Sequence, residues 1–284
     1  MMHIVVLAQR VWDPISVEPD PITGEIDRDR VVDVTNPADL VALEVALRLV
    51  EERGGDVAVY AVGPQSTDLT LRESLALGAH AVTRVWADWL DGAGPDGRAR
   101  ALAAALADAH PDLILTGNRG ADQGPNAVGP MLAALLGIAQ ATGVDAVQVD
   151  DAVTEAIVSR RLDRGVHEEL ALTLPAVICV EPGIAEVRTA PFPRLLDARV
   201  ADVPVFAPER PAHRGVEPRR VGFTQPRPRP HRLPTPDPEA PVEERLAFIM
   251  SRGEGKAAGR IIEGTPDELA DRIVELLEAD GFLP

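Results

Sequence analysis

Residues 112–129, DLILTGNRGADQGPNAVG, decide the fold, because a short apolar run passes directly into a loop rich in glycine. The apolar run predicts a buried strand over residues 112–116. Gly117, Gly120 and Gly124 let backbone N–H groups approach a ligand closely. A glycine-rich strand exit that leads into a helix is suited to binding an anion. The spacing matches neither the Walker motif nor the dinucleotide pattern GxGxxG, so a connection without a ligand is the alternative.

Strand and helix signals alternate outward from this stretch through the first half of the chain. Strands are predicted over residues 3–8, 56–62, 81–86 and 112–116, and helices begin near residue 36 and cover 69–77, 98–109 and 126–136. Almost continuous apolar strands between helices predict an α/β fold with a doubly wound, mainly parallel, Rossmann-like sheet. Such sheets bind ligands beyond the carboxyl ends of their strands, where the loops after Val6, Val62 and Leu115 lie.

Two helix starts have residues that suit the position. Asn36 is expected to cap the first helix, with Pro37 at its first position and Asp39 near its positive end. Asn126 is expected to cap the helix that follows the glycine-rich loop. The apolar face of the first helix is predicted to comprise Leu40, Leu43, Leu47 and Val50.

The second half shows weaker strand signals. Short strands are predicted over 146–149 and 156–162, and a long strand interrupted at Pro175 over 169–180. The early segment 13–34, with several prolines, predicts an irregular hairpin or arm.

Composition changes beyond residue 203, where prolines recur from Pro204 to Pro241. This density suits either an extended arm or a disordered linker. Thr265–Glu268 forms a capping box, and the residues after it predict an amphipathic helix. We therefore expect an α/β domain over residues 1–203, followed over 204–284 by a proline-rich arm and a terminal helix that contact a partner subunit.

The charge of the chain limits the classes of partner. A net charge of −17 argues against nucleic acid and against anionic membranes, since both need clustered Lys and Arg. No apolar stretch has the length of a membrane helix, and the start lacks a signal-peptide pattern, so no membrane insertion and a cytoplasmic location are expected. The single cysteine, Cys179, lies in an apolar run and is expected to be buried.

No catalytic or metal-binding cluster is visible. The six histidines are scattered and none pairs with a nearby Ser or Cys. No His and carboxylate pair has metal-ligand spacing. We expect neither catalytic residues nor a metal, and any redox chemistry would need an organic cofactor. The chain would be an electron-carrier subunit rather than a stand-alone enzyme.

Several stretches together resemble one family, the beta subunit of electron transfer flavoprotein, over roughly the first 200 residues. Residues 5–11, VVLAQRV, are similar to its first strand and exit. Asn36-Pro37 with Asp39 is similar to its first helix start, and residues 71–79, LRESLALGA, to its second helix. Residues 158–180, VSRRLDRGVHEELALTLPAVICV, are similar to its signature, except at Arg164.

The resemblance implies a heterodimer with an electron transfer flavoprotein alpha subunit and a FAD shared with, or bound at, that subunit. It also implies an adenine nucleotide in this chain, with Asp122 suited to a ribose hydroxyl or an adenine amino group. Carried over, the nucleotide-contacting positions are Leu7, Ala8, Gln9, Asn36, Pro37, Ala38, Asp39, Val62, Gly63, Gly117, Asn118, Arg119, Gly120, Ala121, Asp122, Asn126, Ala127, Val128 and Gly129.

Which nucleotide this chain holds stays open between AMP and FAD. Ordinary carriers hold AMP, whereas electron-bifurcating members hold a second, redox-active FAD. Asp122 and residues 128–130 are similar to the bifurcating pattern, while residues 123–127 depart from it. The alternatives to an ordinary carrier are therefore a bifurcating subunit and a stand-alone nucleotide-binding regulatory module.

The resemblance also implies a docking loop for a dehydrogenase electron donor around residues 188–196. Phe192 stands where the family has an apolar anchor, and Arg194 and Leu195 follow it. An exposed aromatic beside Arg is typical of an interface hot spot. The alternative is that Phe192 packs in the core.

Overall fold

The apolar runs of the first half form a central sheet in the computed structural model. The structure describes residues 1–20, 23–122, 124, 127–211, 240–250 and 264–279. It divides into two compact units, Met1–Gln225 and Pro226–Pro284. The first unit contains the sheet.

In the first unit the strands are β1 (Met2–Ala8), β2 (Arg10–Trp12), β3 (Asp33–Thr35), β4 (Gly55–Val62), β5 (Ala81–Val85), β6 (Leu113–Gly117), β7 (Ala139–Val149), β8 (Glu155–Arg161), β9 (His167–Thr173), β10 (Ala176–Val180) and β11 (Val205–Phe206). The helices are α1 (Pro37–Arg53), α2 (Asp68–Leu77), α3 (Pro95–Ala105), α4 (Val128–Leu136) and α5 (Phe192–Val200). Short 3₁₀ turns lie in the connections.

The main sheet has nine strands in the order β11-β5-β4-β1-β6-β10-β7-β8-β9. Pairing is parallel from β11 to β7 and antiparallel across β7, β8 and β9. The predicted doubly wound, mainly parallel α/β fold is thereby confirmed. Because β1, β4 and β6 are parallel neighbours, their carboxyl ends lie side by side at one edge.

Alternate residues of the strands supply two hydrophobic cores, one on each face of the sheet. Ile4 and Val6 pack with α1 and α2 in the first core. Val5 and Leu7 pack with α3 and α4 in the second. Strands with apolar residues on both faces are expected for a parallel sheet covered by helices. The predicted apolar face of α1 is buried at Leu43, Leu47 and Val50, with Leu40 packed beside it.

The structure corrects two strand predictions. The short strand expected over 146–149 is the end of β7, which begins at Ala139. The long strand expected over 169–180 is two strands, because β9 ends at Thr173 and β10 begins at Ala176. Pro175 separates an antiparallel edge strand from a central parallel strand, since β10 lies between β6 and β7.

The segment after β1 begins with a short hairpin of β2 and β3, which pair antiparallel outside the main sheet. Two 3₁₀ turns, each beginning after an Asp whose side chain accepts from the backbone, lie between these strands. The guanidinium of Arg28 lies 5.7 Å from the ring centroid of Trp12. The predicted irregular hairpin or arm is therefore present, with Pro21 and Ile22 outside the described residues.

The second unit contains two described helices, α6 (Val242–Met250) and α7 (Pro266–Ala279). The α7 helix begins with the predicted capping box, in which Glu268 accepts from Thr265 N–H at 2.9 Å. Residues 212–239 of the proline-rich segment lie outside the described residues. In the ranges that the structure describes, no helix is both long enough and apolar enough to cross a membrane.

Candidate functional site

A cleft opens at the carboxyl ends of β1, β4 and β6, between the starts of α3 and α4. It encloses roughly 540 Å³, a volume that includes its open mouth. Its lining comprises Leu7, Ala8, Gln9, Asp39, Tyr60, Val62, Arg98, Leu102, Thr116, Gly117, Asn118, Arg119, Gly120, Ala127, Val128 and Gly129.

Asp39 holds the floor of the cleft together. Its side chain is buried, and its two oxygens accept hydrogen bonds from Gln9 N–H and Gly117 N–H, each at 2.9 Å. The carboxyl in the first turn of α1 therefore joins the ends of β1 and β6. Burial raises the pKa of Asp39 to about 7, against the hydrogen bonds from Gly117, Asn36 and Gln9, which lower it.

Gly117 is required where α1 meets the end of β6. A Cβ at this position would lie 2.6 Å from both Ala38 Cβ and the Asp39 carboxylate, and 2.8 Å from the Ala38 carbonyl carbon. The expectation that the Gly117 N–H approaches a ligand needs correction, because this N–H donates to Asp39. Gly117 instead lets a helix come close to the strand.

Asn36 does not cap α1 with its side chain, although it occupies the N-cap position. Its side-chain N–H donates to the Arg119 carbonyl and its side-chain oxygen accepts from Ala121 N–H, both at 3.2 Å. The expected cap is corrected, because the side-chain oxygen accepts from the loop after β6 and not from a backbone N–H of α1. Asn36 is therefore placed to shape that loop.

Asn118 joins three strands at the same edge. Its side-chain oxygen accepts from Gly143 N–H at 3.0 Å, and its side-chain N–H donates to Glu181. Its backbone N–H donates to Val180 O at 2.8 Å. These contacts bind the exit of β6 to β10 and to the Gly143 irregularity of β7.

The start of α4 packs tightly on the sheet through Gly129. A Cβ there would lie 2.7 Å from Cys179 Sγ and 3.1 Å from Thr116 Cγ2. Cys179 is buried as expected, and burial together with the charge of Asp39 raises the pKa of its thiol to about 12. Helix α4 begins at Val128 with Ala127 in the N-cap position, and the cap expected at Asn126 lies outside the described residues.

Two arginines line the cleft from different elements. Arg98 lies in the first turns of α3 and Arg119 follows β6. In the described part of the chain, neither guanidinium forms an ion pair with a carboxylate, whereas Arg100 of the same helix pairs with Asp96 at 3.1 Å. Of the described residues that line the cleft, Asp39 is the one with an acidic side chain, and its oxygens accept from backbone amides. The cleft therefore offers cationic donors to an anion.

The structure brings together most of the positions expected to contact a nucleotide. Those that line the cleft are Leu7, Ala8, Gln9, Asp39, Val62, Gly117, Asn118, Arg119, Gly120, Ala127, Val128 and Gly129. Asn36, Pro37, Ala38, Gly63, Ala121 and Asp122 are outside the lining, and Asn126 is outside the described residues. Sequence reasoning missed Tyr60, Arg98, Leu102 and Thr116.

Asp122 and Gly63 contribute to neighbouring structure. A Cβ on Gly120 would lie 3.0 Å from an Asp122 carboxylate oxygen, so Asp122 borders the loop. A Cβ on Gly63 would lie 2.1 Å from Thr67 Oγ1, so the turn before α2 requires glycine there.

A separate apolar surface lies on α5. Phe192, the first residue of this helix, is 71 % exposed, and Leu195 and Leu196 are about half exposed. The alternative that Phe192 packs in the core does not hold. Arg194 lies against the end of α2, where a Cβ on Gly78 would be 3.1 Å from its guanidinium.

An ion-pair network holds the chain before α5. Glu44 of α1, 3 % exposed, accepts from Arg188 Nε at 2.7 Å and from Arg48 Nε at 2.7 Å. Arg188 also donates to Glu51. Burial acts to raise the pKa of Glu44, but the hydrogen bonds from Arg188 and Arg48 outweigh it and lower that pKa. At the other end of α5, Arg72 Nε donates to Ala201 O at 3.2 Å.

Among the described residues, no group of three or more His, Cys, Asp or Glu side chains could hold a metal ion. Chemically, the site offers a concave floor, backbone-rich walls and two cationic donors.

Comparisons with known proteins agree with this architecture. A family model described as "Electron transfer flavoprotein domain" matches residues 23–211. "Protein FixA" of Azorhizobium caulinodans is 34 % identical over 211 residues, which cover 72 % of this chain and 75 % of that protein. "Electron transfer flavoprotein subunit beta" of Thermoanaerobacterium thermosaccharolyticum is 32 % identical over 194 residues, which cover 68 % and 72 %.

One relative also aligns over the C-terminal segment. "Electron transfer flavoprotein subunit beta" of Bacillus subtilis is 28 % identical over 284 residues, covering 99 % of each chain. The similarity thus extends past residue 203, where the sequence alone showed little.

Proposed function

The chain belongs to the electron transfer flavoprotein beta subunit family, and we propose that it forms a heterodimer with an alpha subunit and holds an adenine nucleotide in its own sheet. The nucleotide would lie in the cleft at the ends of β1, β4 and β6. The flavin of the heterodimer supplies the redox chemistry when bound. The chain itself would position that flavin together with its partner and receive the electron donor.

The arrangement around Asp39 is the observation that carries the nucleotide proposal. Asp39 joins the exits of β1 and β6, so the loops after these strands form one concave surface. Phosphate is an acceptor with several oxygens, and guanidinium groups recognise it with paired hydrogen bonds. Arg98 and Arg119 lack carboxylate partners among the described residues, so they fit such a group.

The nucleotide can be AMP or a second FAD, and these two alternatives predict different numbers of FAD and AMP molecules per heterodimer. An ordinary carrier would hold one FAD and one AMP per heterodimer. A bifurcating subunit would hold two FAD molecules and no AMP. Chromatography of the nucleotides released by denaturation separates these two forms.

The apolar surface of α5 is proposed to contact the dehydrogenase donor. Phe192, Arg194 and Leu195 would form its centre, with the aromatic ring as the anchor. The ion pairs of Arg188 and the hydrogen bond from Arg72 hold the chain at both sides of α5. Such restraint lowers the ordering entropy that binding would otherwise require.

The C-terminal segment is proposed to contact the alpha subunit. Helix α7 exposes Ile273, Val274, Leu276 and Leu277 in the described structure. An amphipathic helix with an exposed apolar face is suited to a groove on a partner. We propose a nucleotide-binding domain over residues 1–203 and a partner-binding segment over residues 204–284, in which Val205–Phe206 still pairs with β5 at the edge of the main sheet.

Co-expression with the alpha subunit tests the proposal. The two chains should elute together in size exclusion, and the complex should absorb as a flavoprotein in the cytoplasmic fraction of the host. A chain that stays monomeric beside its alpha subunit would favour the rival, a stand-alone nucleotide-binding module. Truncation after residue 203 should weaken the complex, and an unchanged complex would place the interface elsewhere.

A further inference from the structure

We propose that Trp89 is a positioning residue for the contact with the alpha subunit, because its indole N–H holds the C-terminal segment where this segment leaves the edge of the main sheet. The inference rests on the proposed role of residues 204–284 in binding the alpha subunit. It names a side chain of the first unit that restrains the segment before that contact forms. Trp89 is not among the described residues that line the nucleotide cleft.

The C-terminal segment begins as an edge strand of the main sheet. Its residues Val205 and Phe206 form β11, which pairs in parallel with β5. The backbone N–H of Arg84 donates to the Pro204 carbonyl at 2.8 Å. The backbone N–H of Trp86 donates to the Phe206 carbonyl at 3.0 Å. Carbonyls two residues apart therefore accept from N–H groups two residues apart, as expected between paired strands.

Trp89 adds one further hydrogen bond to this series after β5 has ended. The next backbone donor in the series would be Asp88, but the chain forms a 3₁₀ turn over Asp88–Leu90. The indole Nε1–H of Trp89 donates to the Pro208 carbonyl at 3.0 Å, across 119 positions of sequence. A side-chain donor thus attaches the segment two residues beyond the last backbone pair.

The indole ring of Trp89 is itself held by its neighbours. A Cβ on Gly97 of α3 would lie 3.6 Å from the ring. Trp89 and Phe206 both pack against the second hydrophobic core. Because packing restrains the ring, its N–H is a fixed donor, and an indole N–H in such a place usually has a partner.

Pro208 is the last buried position of the segment. It is buried, whereas Glu209 and Arg210 are exposed. Among the residues that the structure describes, none after Pro208 is buried. The bond from Trp89 therefore restrains the backbone directly before the chain becomes exposed. Without this bond, binding of the alpha subunit would have to order residues 207 and 208, and the entropy lost would weaken the complex.

The test measures the dissociation constant of the heterodimer from full-length chains, by fluorescence anisotropy of a labelled alpha subunit. Trp89→Phe keeps an aromatic ring and removes the N–H. It should raise the dissociation constant about five- to thirtyfold, the effect of ordering one further backbone residue on binding. Trp86→Phe is the matched control, because its ring packs against the same core and its bond to Phe206 comes from the backbone. It should change the dissociation constant by less than about twofold.

Thermal unfolding should show that both variants fold, and a second measurement needs no substitution. In the wild-type heterodimer, the indole N–H of Trp89 should exchange with solvent more slowly than that of Trp86, since the former donates to a protein carbonyl. Nuclear magnetic resonance measures both rates.

Three results would overturn the inference while leaving the heterodimer intact. They are an unchanged dissociation constant in Trp89→Phe, an equal increase in Trp86→Phe, and equal exchange rates of the two indole protons. Failure of the wild-type chains to associate would instead overturn the proposed function, and this inference with it.

Discussion

The Asp39 carboxylate accepts the Gly117 N–H at 2.9 Å, so the first turn of α1 is bonded to the end of β6. The contact joins residues 78 positions apart in sequence. It brings the two loops that border the cleft into one surface. The consequences for stability and for nucleotide affinity can be measured.

Gly117→Ala should destabilise the chain and weaken nucleotide binding. The new Cβ would lie 2.6 Å from Ala38 Cβ and from the Asp39 carboxylate, so α1 must move. Overpacking of this kind costs about 1–3 kcal/mol in unfolding free energy. Urea denaturation measures the change. Gly183→Ala is the control, because nothing lies within 4 Å of its added Cβ, and it should change stability by less than about 0.5 kcal/mol.

Asp39 should make stability fall as pH rises. The folded chain holds the Asp39 proton up to about pH 7, whereas the unfolded chain releases it near 3.8. The folded state therefore binds more protons across this window, and the contribution of the group falls with rising pH. Between pH 4 and pH 8, the unfolding free energy of the wild type should fall by on the order of 4 kcal/mol relative to that of Asp39→Asn. A difference between the two proteins that does not change with pH would contradict this account.

Gly129 and Cys179 should be energetically coupled. Gly129→Ala alone should destabilise the chain by about 1–3 kcal/mol, because its Cβ would lie 2.7 Å from Cys179 Sγ. Cys179→Ala removes that sulfur, so the double variant should be more stable than the sum of the two changes predicts. A double-mutant cycle by chemical denaturation should give a coupling of at least about 0.5 kcal/mol. If the effects of the two substitutions on unfolding free energy simply add, the start of α4 must shift to accommodate the new Cβ without contacting Cys179.

Glu44 and Glu51 both bond Arg188 but should differ in importance. Glu44 is buried and accepts from Arg188 and Arg48, so Glu44→Gln should lower unfolding free energy by on the order of 2 kcal/mol. Glu51 is exposed, so Glu51→Gln should change the unfolding free energy by less than about 1 kcal/mol. Because the pKa of Glu44 is lowered, its contribution is present at neutral pH and lost as pH falls through that lowered pKa. Equal losses in the two variants would refute this ranking.

Phe192→Ala should affect partner binding and leave stability unchanged. The ring is 71 % exposed, so its removal should change unfolding free energy by less than about 0.5 kcal/mol. As an interface anchor, its loss should raise the KM for the heterodimer in a dehydrogenase assay by about tenfold or more. Ile15→Ala removes another exposed apolar side chain, 92 % exposed, and should leave that KM unchanged.

Much of the fold could be predicted because its signals are local. The strands β1, β4 and β6 are nearly continuous apolar runs, and parallel pairing then places their exits at one edge. The sequence predicts only the end of β7, since its buried residues are few and irregularly spaced and it contains Gly143 at a positive φ. The sequence predicts one strand interrupted at Pro175, whereas the structure has two strands that pair with different neighbours.

The site was predictable only where sequence motifs form it. The glycine-rich loop and the start of α1 were found from their patterns. Arg98 lies within an Ala-rich helix, and only the packing of α3 beside β4 and α4 brings it to the cleft. Asn36 fits a local capping pattern, but its side chain forms hydrogen bonds with the backbone of residues 119 and 121. Contacts between residues that are far apart in sequence cannot be predicted from local sequence patterns.

The most direct test is the nucleotide content of the purified heterodimer, measured by absorbance and chromatography after denaturation. We expect at least one FAD per heterodimer and one further adenine nucleotide, AMP or FAD, held by this chain. Gly117→Ala should lower the content of the second nucleotide more than that of the shared FAD. A stable heterodimer that contains no flavin, or flavin with no further adenine nucleotide, would contradict this expectation.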